Sequence, residues 1–330
     1  MFENIYHPEN ALENAHILVT GGAGFIGSNL IGYLLKHGVK KVTVLDNLSN
    51  GYHKNIEQYQ SDDRFRFVEG DILDYDLCLS LCKEVDYVSH QAALGSVPRS
   101  VRNPRATNEA NVTGFLNMLY AAKESGVKRM VYASSSAVYG DHPQLPKVEP
   151  DIGNALSPYA VSKRVDELYS QVFHHAYGFD SIGLRYFNVF GPNQSPEGPY
   201  AAVIPLFAKA MLQGGSPWVN GDGGQTRDFT FIENVLQVNI KALFADNPKA
   251  SGQVFNSGTH GRVSLLELID VLNEILGTDI KPRFREPREG DIRDSFANID
   301  KAKKLLGYKP LFSFKDGLEL TIDWYKQLFQ

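Results

Sequence analysis

The sequence predicts an α/β fold with a parallel sheet, helices on both faces of that sheet and a smaller second domain. Two observations favour this fold class: buried apolar runs alternate with helical stretches through the first half of the chain, and a glycine-rich loop follows the first apolar run. The chain has 330 residues, 43% of them hydrophobic and 22% charged. This is an ordinary globular composition, and the length predicts about two domains.

Six strands are predicted in order, each with turn-forming or helical residues after it. HILVT (16–20) is the first and KVTVLD (41–46) the second. The others are FRFVEGDI ending near residue 71, VDYVSHQAAL (85–94), KRMVYASSSAVYG (128–140) and SIGLRYFNVFGP (181–192). Helical stretches at 73–84 and 106–126 separate strands, which predicts parallel pairing with right-handed crossovers.

After residue 187, loops rich in glycine and proline become common, as in GPNQSPEGPY and NGDGGQTRDF. Helices are predicted near 201–213, 232–246, 264–276 and 315–328. We therefore expect a dinucleotide-binding domain at 1–187 and a smaller α/β substrate domain at 188–330, with a chain that is free to cross between them more than once.

Composition and charge exclude several function classes. The formal net charge of −5 gives no electrostatic reason to expect nucleic-acid binding. The two cysteines, Cys78 and Cys82, share a helical face, and no histidine cluster completes a metal site. The first residues lack a signal-peptide pattern, and no apolar run is long enough to span a bilayer. We expect a cytoplasmic protein without a metal or a membrane partner.

The glycine loop carries the first functional signal. Gly21, Gly24 and Gly27 stand between the first strand and the first helix, where glycine permits a tight turn and a close approach of the backbone to a pyrophosphate. Asp46 ends the second strand, where a carboxylate hydrogen-bonds a ribose 2′-hydroxyl and repels a 2′-phosphate. The pattern favours NAD over NADP.

The segment SPYAVSK carries the second signal. Tyr159 and Lys163 are four residues apart and so share one face of a helix, which Ser157 caps and Pro158 begins. A nearby ammonium group favours the phenolate form of a tyrosine, which can then act as a base.

With the glycine loop, YASSSAVYG and YxxxK in one chain, the sequence resembles the extended short-chain dehydrogenase/reductases, which have a Rossmann fold. Within that family, LRYFNVFGP, TRDF and REGD resemble the UDP-sugar 4-epimerases of the UDP-glucose/UDP-N-acetylglucosamine type. The resemblance implies a tightly bound NAD that is regenerated in each cycle. It also implies a UDP-sugar substrate, a role in polysaccharide biosynthesis and a homodimer formed through the helices at 106–126 and 159–177.

The resemblance assigns the site residues. The catalytic residues are Tyr159, Lys163 and Ser135, of which the tyrosine and the lysine also contact NAD. The further cofactor contacts are Gly21, Gly24, Phe25, Ile26, Gly27, Asp46, Asn47, Asp71, Ile72, Gln91, Ala92, Ala93 and Tyr186. The substrate contacts are Ser96, Ser134, Ser135, Ser136, Asn188, Ala202, Val203, Trp218, Val219, Asn220, Arg227, Arg288, Asp291 and Ser295.

The implied reaction is an oxidation at C4 of the sugar to a 4-keto intermediate, which rotates and is reduced on its other face. Related 4,6-dehydratases carry an Asp-Glu pair where this chain has Ser136 and Ala137, so dehydration is disfavoured. Sugar-acid decarboxylases keep a glutamate there, which disfavours them also.

Ser295 stands where the related epimerases gate the sugar pocket, and a small residue there leaves room for a 2-acetamido group. UDP-GlcNAc and UDP-GalNAc are the expected pair. Epimerisation of UDP-glucose, or of N-acetylated uronic acids that Arg99 favours, remains an alternative. The rivals of other classes are a dehydrogenase that releases NADH and a non-catalytic dinucleotide sensor. The complete Ser-Tyr-Lys set counts against a sensor.

Overall fold

The computed structural model describes residues 1–197, 201–287 and 293–329. The strands of this part of the chain are β1 (His16–Thr20), β2 (Lys41–Asp46), β3 (Phe65–Glu69), β4 (Tyr87–His90), β5 (Arg129–Ser135), β6 (Ser181–Tyr186), β7 (Asn188–Phe190), β8 (Trp218–Asn220), β9 (Thr226–Arg227), β10 (Phe229–Phe231), β11 (Val254–Ser257), β12 (Val263–Ser264), β13 (Arg283–Arg285) and β14 (Asp294–Ser295).

The α-helices of the same residues are α1 (Phe25–Lys36), α2 (Tyr75–Cys82), α3 (Val97–Arg102), α4 (Pro104–Asn108), α5 (Gly114–Glu124), α6 (Pro158–Tyr177), α7 (Val203–Leu212), α8 (Ile232–Leu243), α9 (Leu265–Leu276), α10 (Asp300–Leu306) and α11 (Phe314–Phe329). Within the described ranges, no helix is both long and apolar enough to cross a membrane.

A seven-stranded sheet organises these elements in the order β11-β6-β5-β4-β1-β2-β3. All six pairings are parallel. Neighbouring residues of β1 serve two different cores: Ile17 and Val19 belong to one buried cluster and Leu18 to the other. Because both faces are covered, the inner strands are buried along most of their length, whereas the edge strand β3 is partly exposed. The predicted doubly wound parallel sheet, a Rossmann arrangement, is confirmed.

Two sets of helices form those covers. Buried residues of α1 and α8 join the cluster around Ile17, and buried residues of α2 and α5 join the cluster around Leu18. Cys78 and Cys82 lie in the second cluster, where burial raises the pKa of each thiol to about 12. Both cysteines are therefore packing residues of α2.

Several elements differ from the prediction. Strand β3 ends at Glu69, two residues before the predicted end. The predicted helix at 106–126 is two helices, α4 and α5, joined by a π-helical turn at Glu109–Thr113. The short helix α3 was not predicted, and neither was β11, which pairs with β6. A division of the chain at residue 187 would separate β11 from the other six strands of its sheet.

Helix α6 has the ends that its sequence predicts. The side chain of Ser157 accepts a hydrogen bond from the backbone N–H of Ala160, and Pro158 opens the first turn. Gly178 ends the helix in the left-handed conformation with φ of 66°. This fixed start places the SPYAVSK segment against β5 and the short 3₁₀ turn Ser136–Tyr139, with which α6 is in contact.

The remaining strands form small sheets beside the main one: β7 with β10, β8 with β13, and β9 between β12 and β14. Asp228, which follows β9, is buried and connects these sheets. Its carboxylate accepts hydrogen bonds from the backbone N–H groups of Thr259, His260 and Ala297. Hydrogen bonds to a side chain therefore help to hold the small sheets together, whereas the main sheet is held by backbone hydrogen bonds between longer strands.

Candidate active site

The glycine loop forms a cradle at the carboxyl end of β1. Gly21 has φ of 68°, and a Cβ there would lie 2.6 Å from the backbone nitrogen of Ala92. A Cβ on Gly27 would lie 2.3 Å from the carbonyl oxygen of Gly21. Side chains would therefore displace the backbone at both positions, which explains the glycines.

Helix α1 starts in this cradle with Phe25 and Ile26 in its first turn. No side chain of the described residues caps the helix at Gly24. Its N-terminal N–H groups therefore point into the cradle, where the positive end of the helix dipole favours a pyrophosphate.

Asp46 lies beside the cradle and is held by backbone donors. Its carboxylate oxygens accept hydrogen bonds from the N–H of Ala23 at 2.9 Å and the N–H of Leu48 at 2.8 Å. Burial raises the pKa of Asp46, and these two donors counteract that effect. The side-chain amide of Asn47 donates to Asp71 at 2.7 Å, so the segments that follow β2 and β3 are in contact at this edge.

Two further residues predicted to contact the cofactor have buried side chains. Ile72 packs in the core against Gly114 of α5. The hydroxyl of Tyr186 donates to Gln91 and to Asn239, at 3.0 Å each, and is almost inaccessible. Tyr186 therefore orients Gln91, which lies with Ala92 and Ala93 directly after β4.

The predicted catalytic residues meet at the carboxyl end of β5. Tyr159 and Lys163 are on the first two turns of α6, with Tyr159 half-buried and Lys163 buried. Ser135 is the last residue of β5, and its Oγ accepts a hydrogen bond from the N–H of Ala137 at 3.1 Å. Helix α6 packs on this strand end, so the structure brings the tyrosine, lysine and serine to one edge.

The structure corrects the prediction for Ser134. Its side chain is buried and donates to Glu167 on α6 at 2.7 Å. Successive residues of a strand face opposite sides of a sheet, so Ser134 and Ser135 cannot both present hydroxyls to one ligand. Ser134 is a structural residue, and Ser135 and Ser136 remain the half-buried serines of the segment.

Glu167 is the centre of a buried ionic cluster behind the catalytic edge. Arg185 of β6 donates to both carboxylate oxygens of Glu167 at 2.8 Å, and its guanidinium lies 4.8 Å from the centre of the Tyr139 ring. Burial would raise the pKa of Glu167, but Arg185 lowers it below its usual value. The cluster ties α6 to β5 and β6 and thereby fixes where Tyr159 lies.

A cavity of about 860 Å³ lies among the small sheets and the helices beside them, and Ser135, Tyr159 and Lys163 are not part of its lining. Its walls come from α3 and the loop before it, from β7 to β10, from α7, from the start of α9 and from β13. Of the predicted substrate residues, it is lined by Ser96, Asn188, Ala202, Val203, Trp218, Asn220 and Arg227. The volume is within the range for small-molecule sites, roughly 300–1,000 Å³.

Three further predictions have different outcomes. The side chain of Val219 is in the core and not in the cavity, because it alternates with Trp218 and Asn220 along β8. Ser295 stands just outside the lining that the described residues form, but it is paired in register with Arg227, which belongs to that lining. Arg288 and Asp291 lie outside the described residues.

The sequence missed Arg102, Gln225 and Arg285 as cavity residues. A signal existed for Arg102, because Ser96 and Pro98 mark the start of a helix that would present an arginine two turns later. Arg99, on the same helix, instead donates to Asn50 at 2.6 Å.

Comparison with known proteins matches this geometry. Residues 17–258 match the profile of the NAD dependent epimerase/dehydratase family. The chain belongs to this family. It is an NAD-dependent epimerase-type enzyme, and NAD is the cofactor that the glycine cradle, the uncapped start of α1 and Asp46 fit.

Several relatives match over almost the whole chain. The UDP-glucose 4-epimerase of Mycolicibacterium smegmatis is 36% identical, and the match covers 95% of this chain and 99% of the relative. The UDP-glucuronate 4-epimerase of Thermodesulfobacterium geofontis is 33% identical, with 94% and 96% covered. The solved UDP-N-acetylglucosamine 4-epimerase of Methanobrevibacter ruminantium M1, in complex with UDP-N-acetylmuramic acid, is 37% identical with a TM-score of 0.91, covering 96% of this chain and 99% of that one.

Proposed function

We propose that this enzyme is a UDP-sugar 4-epimerase that interconverts UDP-GlcNAc and UDP-GalNAc with a tightly bound NAD. The observation that carries the choice of sugar is the small residue Ser295, paired with Arg227 at the margin of the large cavity. A serine leaves room for an acetamido group where a bulky side chain would fill the space. The similarity to the Methanobrevibacter ruminantium enzyme supports the same choice.

The nucleotide half of the substrate has suitable partners in the cavity. The guanidinium of Arg227 and the amide of Asn188 are the groups for the diphosphate, because a guanidinium fork matches phosphate oxygens. Trp218 is half-exposed at the rim and Val203 opens α7 nearby, so they offer an apolar contact for the uracil ring. From the sequence alone, we propose that Arg288 and Asp291 complete the set of contacts to the nucleotide.

The catalytic edge supplies the proton chemistry. When bound, NAD accepts and returns the hydride of the sugar C4. Tyr159 removes the proton of the 4-hydroxyl and later returns it, and Lys163 favours its phenolate. Ser135 holds the same sugar oxygen through a hydrogen bond. Because the contacts of Asn188 and Arg227 are to the nucleotide, the sugar ring remains free to turn between the two half-reactions.

The direct test is proton NMR of UDP-GlcNAc with purified protein and no added NAD. Growth of the anomeric signal of UDP-GalNAc is expected, because the enzyme should carry its own cofactor. If turnover instead requires added NAD and consumes it stoichiometrically, the enzyme is a net dehydrogenase. If UDP-glucose reacts and UDP-GlcNAc does not, the assignment of the sugar is wrong.

Ser295→Tyr sharpens this test. The larger ring should lower kcat/KM for UDP-GlcNAc about a hundredfold while UDP-glucose turnover changes less than about threefold, since only the acetamido group needs the space. Ser264→Ala, at the start of α9, is the matched control for a serine substitution in the same small sheet. Equal losses for both sugars would mean that Ser295 does not select between them.

A second candidate is a uronic acid substrate, favoured by Arg102 in the cavity wall. A guanidinium there suits a C6 carboxylate. UDP-glucuronate and its N-acetylated analogue are therefore the next substrates to offer, and Arg102→Gln should lower their kcat/KM selectively if the carboxylate is bound there.

We also propose a homodimer through α5 and α6. Val161, Leu168 and Val172 are each 44–56% exposed and lie at i, i+7 and i+11 on one face of α6, with Tyr120 of α5 and Tyr177 beside them. Val172→Lys should convert a dimer into a monomer in analytical ultracentrifugation. Persistence of a dimer in that variant would place the interface elsewhere.

A further inference from the structure

Asp166 is a buried carboxylate on α6 to which the reaction above gives no role. Its side chain is fully buried, and Oδ2 lies 3.1 Å from Nζ of Lys163. Its other oxygen, Oδ1, is also buried and has no hydrogen-bond partner in the described part of the chain. Buried carboxylates normally have both oxygens satisfied, so this one is poorly suited to a purely structural role.

The position of Asp166 on the helix connects it with the catalytic pair. Tyr159, Lys163 and Asp166 stand at i, i+4 and i+7, so all three lie on one face of α6. The order along this face is phenol, ammonium, carboxylate. Lys163 is itself only 2% exposed, so water screens little of the interaction between its ammonium and the carboxylate.

We propose that Asp166 is a positioning residue that holds the Lys163 ammonium and sets how strongly its charge favours the phenolate of Tyr159. An ionised Asp166 offsets much of that charge. A protonated Asp166 leaves it available to Tyr159. The proposal rests on the roles of Tyr159 and Lys163 given under the proposed function.

The surroundings make Asp166 the group of this cluster that titrates near neutrality. Burial raises the pKa of Asp166 to about 7, against the opposing effect of Lys163 and with a smaller contribution from Glu167. His90 of β4 is neutral at working pH, because burial and Lys163 lower its pKa to about 3. Burial raises the pKa of Tyr132 on β5 well above its usual value, so it stays a neutral phenol.

Asp166→Asn is the informative variant, because it keeps the shape and an oxygen for Lys163 but removes the charge. Tyr159 and Asp166 are seven residues apart on a helix, which is about 10 Å. Loss of one negative charge at that distance should move the acid limb of the kcat profile about one pH unit lower. In the wild type, the ionisations of Asp166 and Tyr159 are coupled, which broadens the acid limb of the kcat profile. In the Asn variant only Tyr159 ionises, so the acid limb should also be steeper.

Asp166→Ala removes the oxygen as well as the charge. We expect kcat to fall about tenfold with little change in KM, because Lys163 is no longer held, and the Asn variant should retain most of that activity. Glu233→Gln is the matched control. Glu233 is another buried carboxylate with a raised pKa, and it accepts a hydrogen bond from the N–H of Phe2 in the N-terminal arm. Its profile should coincide with that of the wild type.

A second readout does not depend on the sugar. The near-ultraviolet absorbance of the phenolate is titrated in each protein and in its Tyr159→Phe counterpart, and the difference reports Tyr159 alone. In the Asn variant this phenolate should form about one pH unit lower. If no UDP-sugar turns over but this shift occurs, the proposed substrate fails and the role of Asp166 stands. Unchanged titrations and an unchanged kcat profile in the Asn variant would overturn the role of Asp166.

Discussion

Two regions of the candidate site, a cofactor side at the main sheet and a sugar side at the small sheets, are built differently. On the cofactor side, the contacts stand at the ends of strands of four to seven residues within one parallel sheet. On the sugar side, Arg227, Ser295 and Asn220 stand on strands of only two or three residues. In the proposed function, the chemistry is therefore tied to the long strands of the main sheet, whereas sugar recognition depends on short segments that a few substitutions can reshape.

The largest effect should come from the rigid side. Tyr159→Phe removes the acid–base group but keeps the ring, so kcat should fall about 10³-fold while the unfolding midpoint stays unchanged. Turnover of each UDP-sugar, measured by NMR, checks this. A loss confined to one sugar would mean that Tyr159 belongs to recognition, and the comparison of the two sides would fail.

The ionic cluster behind the catalytic edge provides the next test. Arg185→Ala leaves the buried carboxylate of Glu167 with only the half-buried Arg164 and the hydroxyl of Ser134 as partners, which should lower the free energy of unfolding by about 3 kcal/mol. Urea unfolding measures the change. Lys281→Ala breaks an exposed ion pair with Asp279 and should leave the unfolding midpoint unaltered. A small loss for Arg185→Ala would show that the framework does not depend on this pair.

Asp166 gives the rigid side a pH dependence. Its pKa is raised from 3.8 to about 7 on folding, so its contribution to stability is full below about pH 4 and is lost as the pH rises to about 7. Relative to the wild type, Asp166→Asn should therefore gain up to about 4 kcal/mol of unfolding free energy over that interval. Urea unfolding at several pH values measures it, and a pH-independent difference would contradict the buried titration.

The smallest effect should come from the sugar side. Asp228→Asn places an amide among backbone donors, leaving one of them unpaired at a cost of about 1–3 kcal/mol. Because Asp228 adjoins Arg227, KM should rise several-fold while kcat changes little. Steady-state kinetics measure both constants. An unchanged KM together with a large loss of kcat would mean that the small sheets support the catalytic step and not only substrate binding.

Sequence reasoning predicted the cofactor side well because that side follows local rules. The glycine spacing, the strand-ending Asp46 and the capped start of α6 are each readable over a few residues, and the structure has all three where the sequence predicts them. Strand β11 was missed because its place in the main sheet depends on a pairing with β6 about 70 positions earlier, which no local pattern reveals.

The sugar side was predicted less well for a related reason. Which face of a two- or three-residue strand meets the cavity depends on its neighbours, so Val219 was assigned to the cavity and Arg285 was not. The prediction that Ser134 contacts the substrate was wrong for a simpler reason. Strand alternation separates it from Ser135, but the partner that buries it, Glu167, is 33 residues later in the chain.

Strand β11 is synthesised long after the other six strands of its sheet, and this affects how the chain folds on the ribosome. When the ribosome has completed residue 187, β6 lacks its outer neighbour, and Arg129 lacks the carbonyl groups of Ala242, Leu243 and Ala245 that it later contacts. An exposed sheet edge and an uncovered apolar face invite association with other nascent chains. The dinucleotide-binding half should therefore not be excisable as an autonomous module, and release of a folded domain must wait until residue 257 has left the exit tunnel.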